Sequence, residues 1–178
     1  MIRFSEWNLG ALIGAGVVAG VVQAAAGVVM YLAGVYFAAW SMLVGVGVLV
    51  LCIVVGTSWY ANRYLNGGLT YAQATLVGIG ISVCTGAVYA VYNLITISYV
   101  YPDFLDEAAR AYVAQAGNPQ QGPESFAAVR AQVSALGIAI PNLIRLSVFG
   151  TVLSLVAALF LRRKKVTSVV TPGQSRVI

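Results

Sequence analysis

The fold is decided by a run of 56 residues without a charged side chain, from Trp7 to Asn62, which reads WNLGALIGAGVVAGVVQAAAGVVMYLAGVYFAAWSMLVGVGVLVLCIVVGTSWYAN. One helix of that length would measure over about 80 Å, since each residue adds about 1.5 Å. The hydrocarbon core of a bilayer is about 30 Å thick. The run therefore predicts two membrane crossings, with a break near Gly34, where aromatic residues cluster as they do at membrane interfaces.

The composition of the whole chain agrees with this. Of the 178 residues, 60% are hydrophobic and 8% are charged, whereas soluble domains average about 45–50% and about 25%. A soluble globular domain is excluded, and so is a disordered chain, which needs low hydrophobicity and high charge. The sequence predicts an all-α membrane protein.

We place four spans at about 9–30, 37–60, 74–98 and 142–161. The turn between spans two and three contains Asn66-Gly67-Gly68, after which Thr70 is placed to cap a helix. Residues 1–165 then form a single transmembrane domain, and residues 166–178 form a flexible cytoplasmic tail.

A cleaved signal peptide is the alternative for span one, because Arg3 precedes it and Ala24-Ala25-Ala26 resembles a cleavage site. Glu6 weakens the positive region, and the apolar stretch exceeds the roughly 7–15 residues of a signal core. We therefore expect the span to be retained.

The basic residues predict the orientation. With four spans, both termini share one side, which carries seven basic residues and one acidic residue: Arg3, Arg63, Arg162, Arg163, Lys164, Lys165, Arg176 and Glu6. The other side carries three basic and four acidic residues: Arg110, Arg130, Arg145, Asp103, Asp106, Glu107 and Glu124. Both termini should be cytoplasmic. The net charge of +5 then serves membrane anchoring, and we expect no nucleic-acid partner.

The extracytoplasmic loop, 99–141, predicts a helical hairpin. Its first helix covers about 103–116 and ends at Gly117-Asn118-Pro119, and the loop tip follows at 119–123. The second helix starts near Glu124 and runs towards span four, with a kink at Pro141. The hairpin could lie on the membrane surface, pack over the bundle as a cap, or face a periplasmic partner. Its acidic residues are explained by their position in the first helical turn, where the helix dipole favours negative charge. This explanation is preferred to a cation site or a catalytic cluster.

Small residues in span one form two pairs with the spacing that lets membrane helices approach closely. The pairs are Gly10 with Gly14 and Gly16 with Gly20. They predict either an interface with another subunit or copy, or tight packing inside the four-helix bundle.

Three polar residues within apolar segments are candidates for function: Gln23, Asn93 and Arg145. Gln23 and Asn93 either line a pathway for a solute or make hydrogen bonds between helices. Arg145 lies about one turn into span four, where snorkelling to the interface explains it. The chain has no His, and Cys52 and Cys84 read as buried free thiols, so we expect no metal site and no catalytic residues.

Three motifs accompany the glycine-rich first span and the basic cluster after the last span: Asn62-Arg63-Tyr64, Gly67-Gly68-Leu69-Thr70-Tyr71 and Tyr101-Pro102-Asp103-Phe104. In these features the chain resembles the domain-of-unknown-function 4199 family. Its members are small four-helix inner-membrane proteins found mostly in Bacteroidota. The resemblance covers about residues 5–165 and implies four helices in a bacterial inner membrane. It implies no catalytic residue and argues against an enzyme.

Two functions follow from these features. The first is a non-catalytic accessory or structural subunit, which packs in a larger inner-membrane complex or associates with itself. The second is a transporter or channel that handles a small solute or lipid. Neither calls for a cofactor, although glycine-rich apolar helices accommodate a bound lipid. An intramembrane enzyme would need a nucleophile–base pair or a metal-ligand set, and the sequence shows neither.

Overall fold

The computed structural model describes residues 7–38, 40–65, 67–101, 103–115 and 123–162. Within them it contains six α-helices and one π-helical turn: α1 (Leu9–Leu32), α2 (Ser41–Tyr64), α3 (Tyr71–Ile95), the π-helical turn (Thr96–Val100), α4 (Phe104–Gln115), α5 (Pro123–Gln132) and α6 (Ala135–Leu161). Four of these are long and apolar enough to cross a bilayer, namely α1, α2, α3 with its π-helical turn, and α6. The all-α fold with four long apolar helices is confirmed.

The helix ends differ from the span limits expected from sequence, most of all in α6. This helix begins at Ala135 rather than at 142, because Ser134 caps it by accepting a hydrogen bond from the Gly137 backbone N–H at 3.0 Å. α6 then continues through Pro141, which has no N–H to donate to the carbonyl four residues earlier. α5 and α6 are separated at Val133 and Ser134, so the second hairpin helix does not continue into span four.

Several predictions concern residues outside the described ranges. They are the helix end at 117–119, the loop tip up to residue 122, the basic residues 163–165 and the tail 166–178. Arg3 and Glu6 lie outside them as well.

The two short connections between spanning helices are built on backbone geometry that the sequence signals. At the end of α1, Gly34 has φ +69°, and the N–H groups of Gly34 and Val35 bond to the carbonyls of Tyr31 and Met30. This is a Schellman motif, and it favours glycine because a side chain strains a positive φ. Before α3, Thr70 forms a capping box with Gln73, which confirms the predicted cap.

α3 lies at the centre of the bundle and packs against α1, α2 and α6. Against α1 it runs parallel, because Leu12, Gly16 and Gly20 meet Gly80, Cys84 and Val88 in ascending order. Against α6 it runs antiparallel, because Gly78, Ser82 and Gly86 meet Ser154, Gly150 and Ser147. This alternation of direction is what successive membrane crossings require.

The outer surface of the bundle is apolar. Large hydrophobic side chains are exposed along α1, α2 and α6, with Val18 at 65%, Leu43 at 72% and Phe160 at 82% exposure. Soluble monomeric proteins rarely expose contiguous apolar surface of this extent. It suits lipid contact, and the protein is a multi-pass membrane protein.

α4 and α5 form the helical hairpin, which packs at one end of the bundle. Phe104 and Ala108 of α4 are buried there, in a cluster with Ile97 of the π-helical turn. An ion pair between Asp106 and Arg130 joins α4 to α5. The hairpin thus takes the position of a cap, one of the three arrangements that the sequence left open.

Candidate functional site

The structure separates the two glycine pairs of α1. Gly16 and Gly20 are buried against α3: a methyl group added at Gly16 would lie 2.3 Å from Cys84 Cβ, and one at Gly20 would lie 2.5 Å from Val88 Cβ. Such distances are far inside van der Waals contact. This pair lets α1 and α3 approach closely within the same molecule.

Gly10 and Gly14 face away from the bundle. A methyl group at Gly14 would meet nothing within 4 Å, and one at Gly10 would meet only the neighbouring Asn8 Oδ1 at 3.5 Å. Ile13 and Val17, beside them on α1, are exposed as well. We call Gly10, Ile13, Gly14 and Val17 the outer α1 face. Within the described chain, this face has the small-residue spacing of a helix interface and no helix packed on it.

The seam between α3 and α6 is a feature that the sequence reading missed. Ser82 fills the space beside Gly150, and Ser154 fills the space beside Gly78: methyl groups on the two glycines would lie 2.3 Å and 2.5 Å from the serine hydroxyl oxygens. The signal was present as a small residue every four positions on both helices, at Ala74, Gly78, Ser82 and Gly86 and at Gly150, Ser154 and Ala158.

Three hydroxyl groups inside the bundle donate to helix backbone, whereas the buried hydroxyls of Thr57 and Thr75 have no partner among the described residues. Thr85 Oγ1 lies 2.8 Å from the carbonyl of Ile81 and 3.3 Å from the carbonyl of Gly16 on α1. Ser82 and Ser154 donate to the carbonyls four residues earlier. These bonds satisfy the three hydroxyls without a solute, so they favour helix packing over a polar pathway.

Gln23 is buried at 5% exposure in the contact between α1 and α2. Its Nε2 donates to the carbonyl of Gly45 at 3.3 Å, which is the interhelical bond that the packing interpretation predicts. Its Oε1 has no partner among the described residues. Gln23 is therefore half satisfied.

Asn93 lies deeper in the molecule, at 3% exposure, and its Nδ2 has no hydrogen-bond partner in the described chain. It lines a cavity between the end of α3, the end of α1 and the start of α4. The structure does not bring Gln23 to this cavity. The two amides therefore do not share one site.

Arg145 is exposed on α6. Because α6 starts early, Arg145 is three turns into the helix rather than one. It lies 16 residues from Leu161, a rise of about 24 Å, close to the full thickness of a hydrocarbon core of about 30 Å. If Leu161 marks one interface, the guanidinium reaches the other by snorkelling.

Cys52 and Cys84 are free thiols, each partly buried, on α2 and α3. Among the described residues, no group of three or more His, Cys, Asp or Glu side chains is placed to hold a metal ion.

The family model described as "Protein of unknown function (DUF4199)" matches residues 15–163. The chain belongs to this family. The match covers all four long apolar helices except the first turns of α1, and the family's description names no activity. Neither the curated proteins nor the solved structures contain a match.

Proposed function

We propose that this DUF4199 protein is a non-catalytic accessory or structural subunit of the bacterial inner membrane, which packs against another membrane protein or a second copy of itself. Its N- and C-termini face the cytoplasm, and the α4–α5 hairpin is extracytoplasmic. Its contacts are the bilayer and other membrane-spanning helices, with no nucleic acid and no enzymatic role.

One observation carries this proposal: the outer α1 face repeats the glycine spacing that Gly16 and Gly20 use against α3, yet it is open. Inside a bilayer, helices associate through close packing of small residues rather than through the hydrophobic effect. Gly10 and Gly14 offer another helix the same close approach that α3 already uses at Gly16 and Gly20, about 1.7 turns further along α1.

The test compares Gly14→Leu with Gly47→Leu. Both glycines are exposed in spanning helices, and a methyl group at either meets nothing within 4 Å, so the two positions are matched in the space at Cβ. After gentle extraction from native membranes and native-gel sizing, we expect Gly14→Leu to shift the protein to its monomer mass and Gly47→Leu to migrate like the unaltered protein. Equal migration of all three proteins above the monomer mass would refute a role for this face.

A small-solute or lipid-handling transporter is the second candidate, because Gln23 and Asn93 each carry a buried amide atom without a partner among the described residues. Its test is flux into proteoliposomes. Flux that falls at least tenfold in both Gln23→Leu and Asn93→Leu would favour it over the subunit role, and unchanged flux would remove it.

A further inference from the structure

The cavity that contains Asn93 lies where the spanning helices end and the hairpin begins. Its walls include Tyr31, Tyr36, Tyr92, Thr96 and Phe104, and the described residues that line it carry no charge. It encloses about 260 Å³ when its open mouth is included, but its interior admits only about one water-sized group. A whole ligand does not fit inside, although a single ligand atom does.

Asn93 gives this cavity a chemical preference. A buried donor without an acceptor is costly and rare in folded proteins, and Asn93 Nδ2 is such a donor among the described residues. Tyr36 already shares its hydroxyl with Tyr89, at 3.4 Å. Among the described residues that line the cavity, the buried side-chain atom without a hydrogen-bond partner is thus Asn93 Nδ2, a donor that needs an acceptor.

The backbone beside Asn93 departs from regular α-helix. Residues Thr96–Val100 form a π-helical turn that ends α3, in a position where such turns occur at helix C-termini. The Phe104 ring closes the opposite wall, with its centroid 5.6 Å from that of Tyr31 and 5.4 Å from that of Tyr36. An irregular turn, an aromatic wall and an unsatisfied donor thus meet at one place.

We propose that this cavity binds the carbonyl oxygen of a neutral apolar molecule, with Asn93 Nδ2 as the donor and the remainder of the molecule leaving through the mouth. A carbonyl oxygen only accepts, so the unpartnered N–H of Asn93 satisfies it. The described residues that line the cavity are uncharged, which favours a neutral group there because burying a charge is costly. An ester lipid and a quinone both present such a carbonyl. This site does not depend on the subunit role.

The test uses the full chain, labelled with ¹⁵N at asparagine, in nanodiscs of a diether lipid that has no ester carbonyl. The side-chain amide cross-peak of Asn93 is assigned by its absence from Asn93→Leu or Asn93→Thr. Three probes are titrated: dioctanoylglycerol, its dioctyl ether analogue and a short-tailed quinone. Gln23→Leu is the matched control, because it removes a buried amide away from the cavity.

We expect a saturable shift of the Asn93 cross-peak with dioctanoylglycerol, with the quinone or with both, which identifies the source of the carbonyl. The ether analogue should give no shift, and Gln23→Leu should change the dissociation constant obtained from the shift less than twofold. A cross-peak that no probe moves, or that the ether moves equally, would overturn the proposal.

Discussion

The side chain of Ser82 on α3 occupies the space beside Gly150 on α6. A methyl group on Gly150 would lie 2.3 Å from both Cβ and Oγ of Ser82. The relation repeats in reverse one turn away, where Ser154 of α6 fills the space beside Gly78 of α3. Each serine donates to its own helix, so no hydroxyl needs water. This reciprocal contact joins the two most closely packed helices of the protein.

The seam predicts a loss of stability that a second substitution restores. Gly150→Ala should lower the free energy of unfolding by about 1–3 kcal/mol, because the added methyl group overpacks the contact with Ser82. Ser82→Gly in the same chain removes the obstructing atoms and should recover most of the loss. Reversible unfolding in mixed micelles measures both. Gly47→Ala is the control, since its methyl group meets nothing within 4 Å; an equal loss there would show that the seam is not responsible.

The two glycine pairs of α1 should differ in the same assay. Gly16→Ala places a methyl group 2.3 Å from Cys84 Cβ, an atom fixed to the helix that no rotamer change can move away. We expect a loss of about 1–3 kcal/mol. The methyl group of Gly14→Ala meets open space, so the free energy of unfolding of this variant should lie within about 0.5 kcal/mol of that of the unaltered protein. A reversal of this order would contradict the packing of α1 on α3.

The buried polar groups should contribute unequally. Thr85→Val keeps the shape of the side chain but removes its bonds to Ile81 and Gly16, and should cost about 0.6–2 kcal/mol. Gln23→Leu should cost less, because it also removes a buried oxygen that has no partner among the described residues. The same unfolding measurement decides the order, and a larger loss for Gln23→Leu would show that its bond to Gly45 outweighs the unsatisfied oxygen.

The orientation can be read from cysteine labelling in intact cells. In a background with Cys52→Ala and Cys84→Ala, Tyr99→Cys, at the hairpin end, should react with a membrane-impermeant maleimide. Asn62→Cys, exposed at the opposite end of α2, should react only after permeabilisation. The opposite pattern would place the termini outside the cytoplasm.

The sequence predicted those parts of the fold that depend on local signals. The charge-free run required two crossings, Gly34 marked the turn between them, and Thr70 capped the next helix. Span four was placed at about 142–161 by counting about 20 residues back from the basic cluster. The helix α6 that contains it begins earlier, at Ala135, because Ser134 caps it before Pro141 is reached.

The pairing of helices was harder to predict, because periodicity shows that a helix face carries small residues but does not show which helix packs against it. Gly14 and Gly16 look alike in sequence, and only the position of α3 separates an open face from a filled one. The same limit applies to Asn93, which shares its cavity with Tyr31, Tyr36 and Phe104 from other parts of the chain.

The central claim is that another spanning helix rests on the outer α1 face, and photocrosslinking in native membranes tests it most directly. A benzophenone maleimide is attached to Val17→Cys, beside Gly14, or to the exposed control Leu51→Cys on α2, in the cysteine-free background. Illumination should give one discrete protein adduct of fixed mass from Val17→Cys and only lipid adducts from Leu51→Cys. Lipid adducts alone at Val17→Cys, or a discrete protein adduct only at Leu51→Cys, would contradict the account.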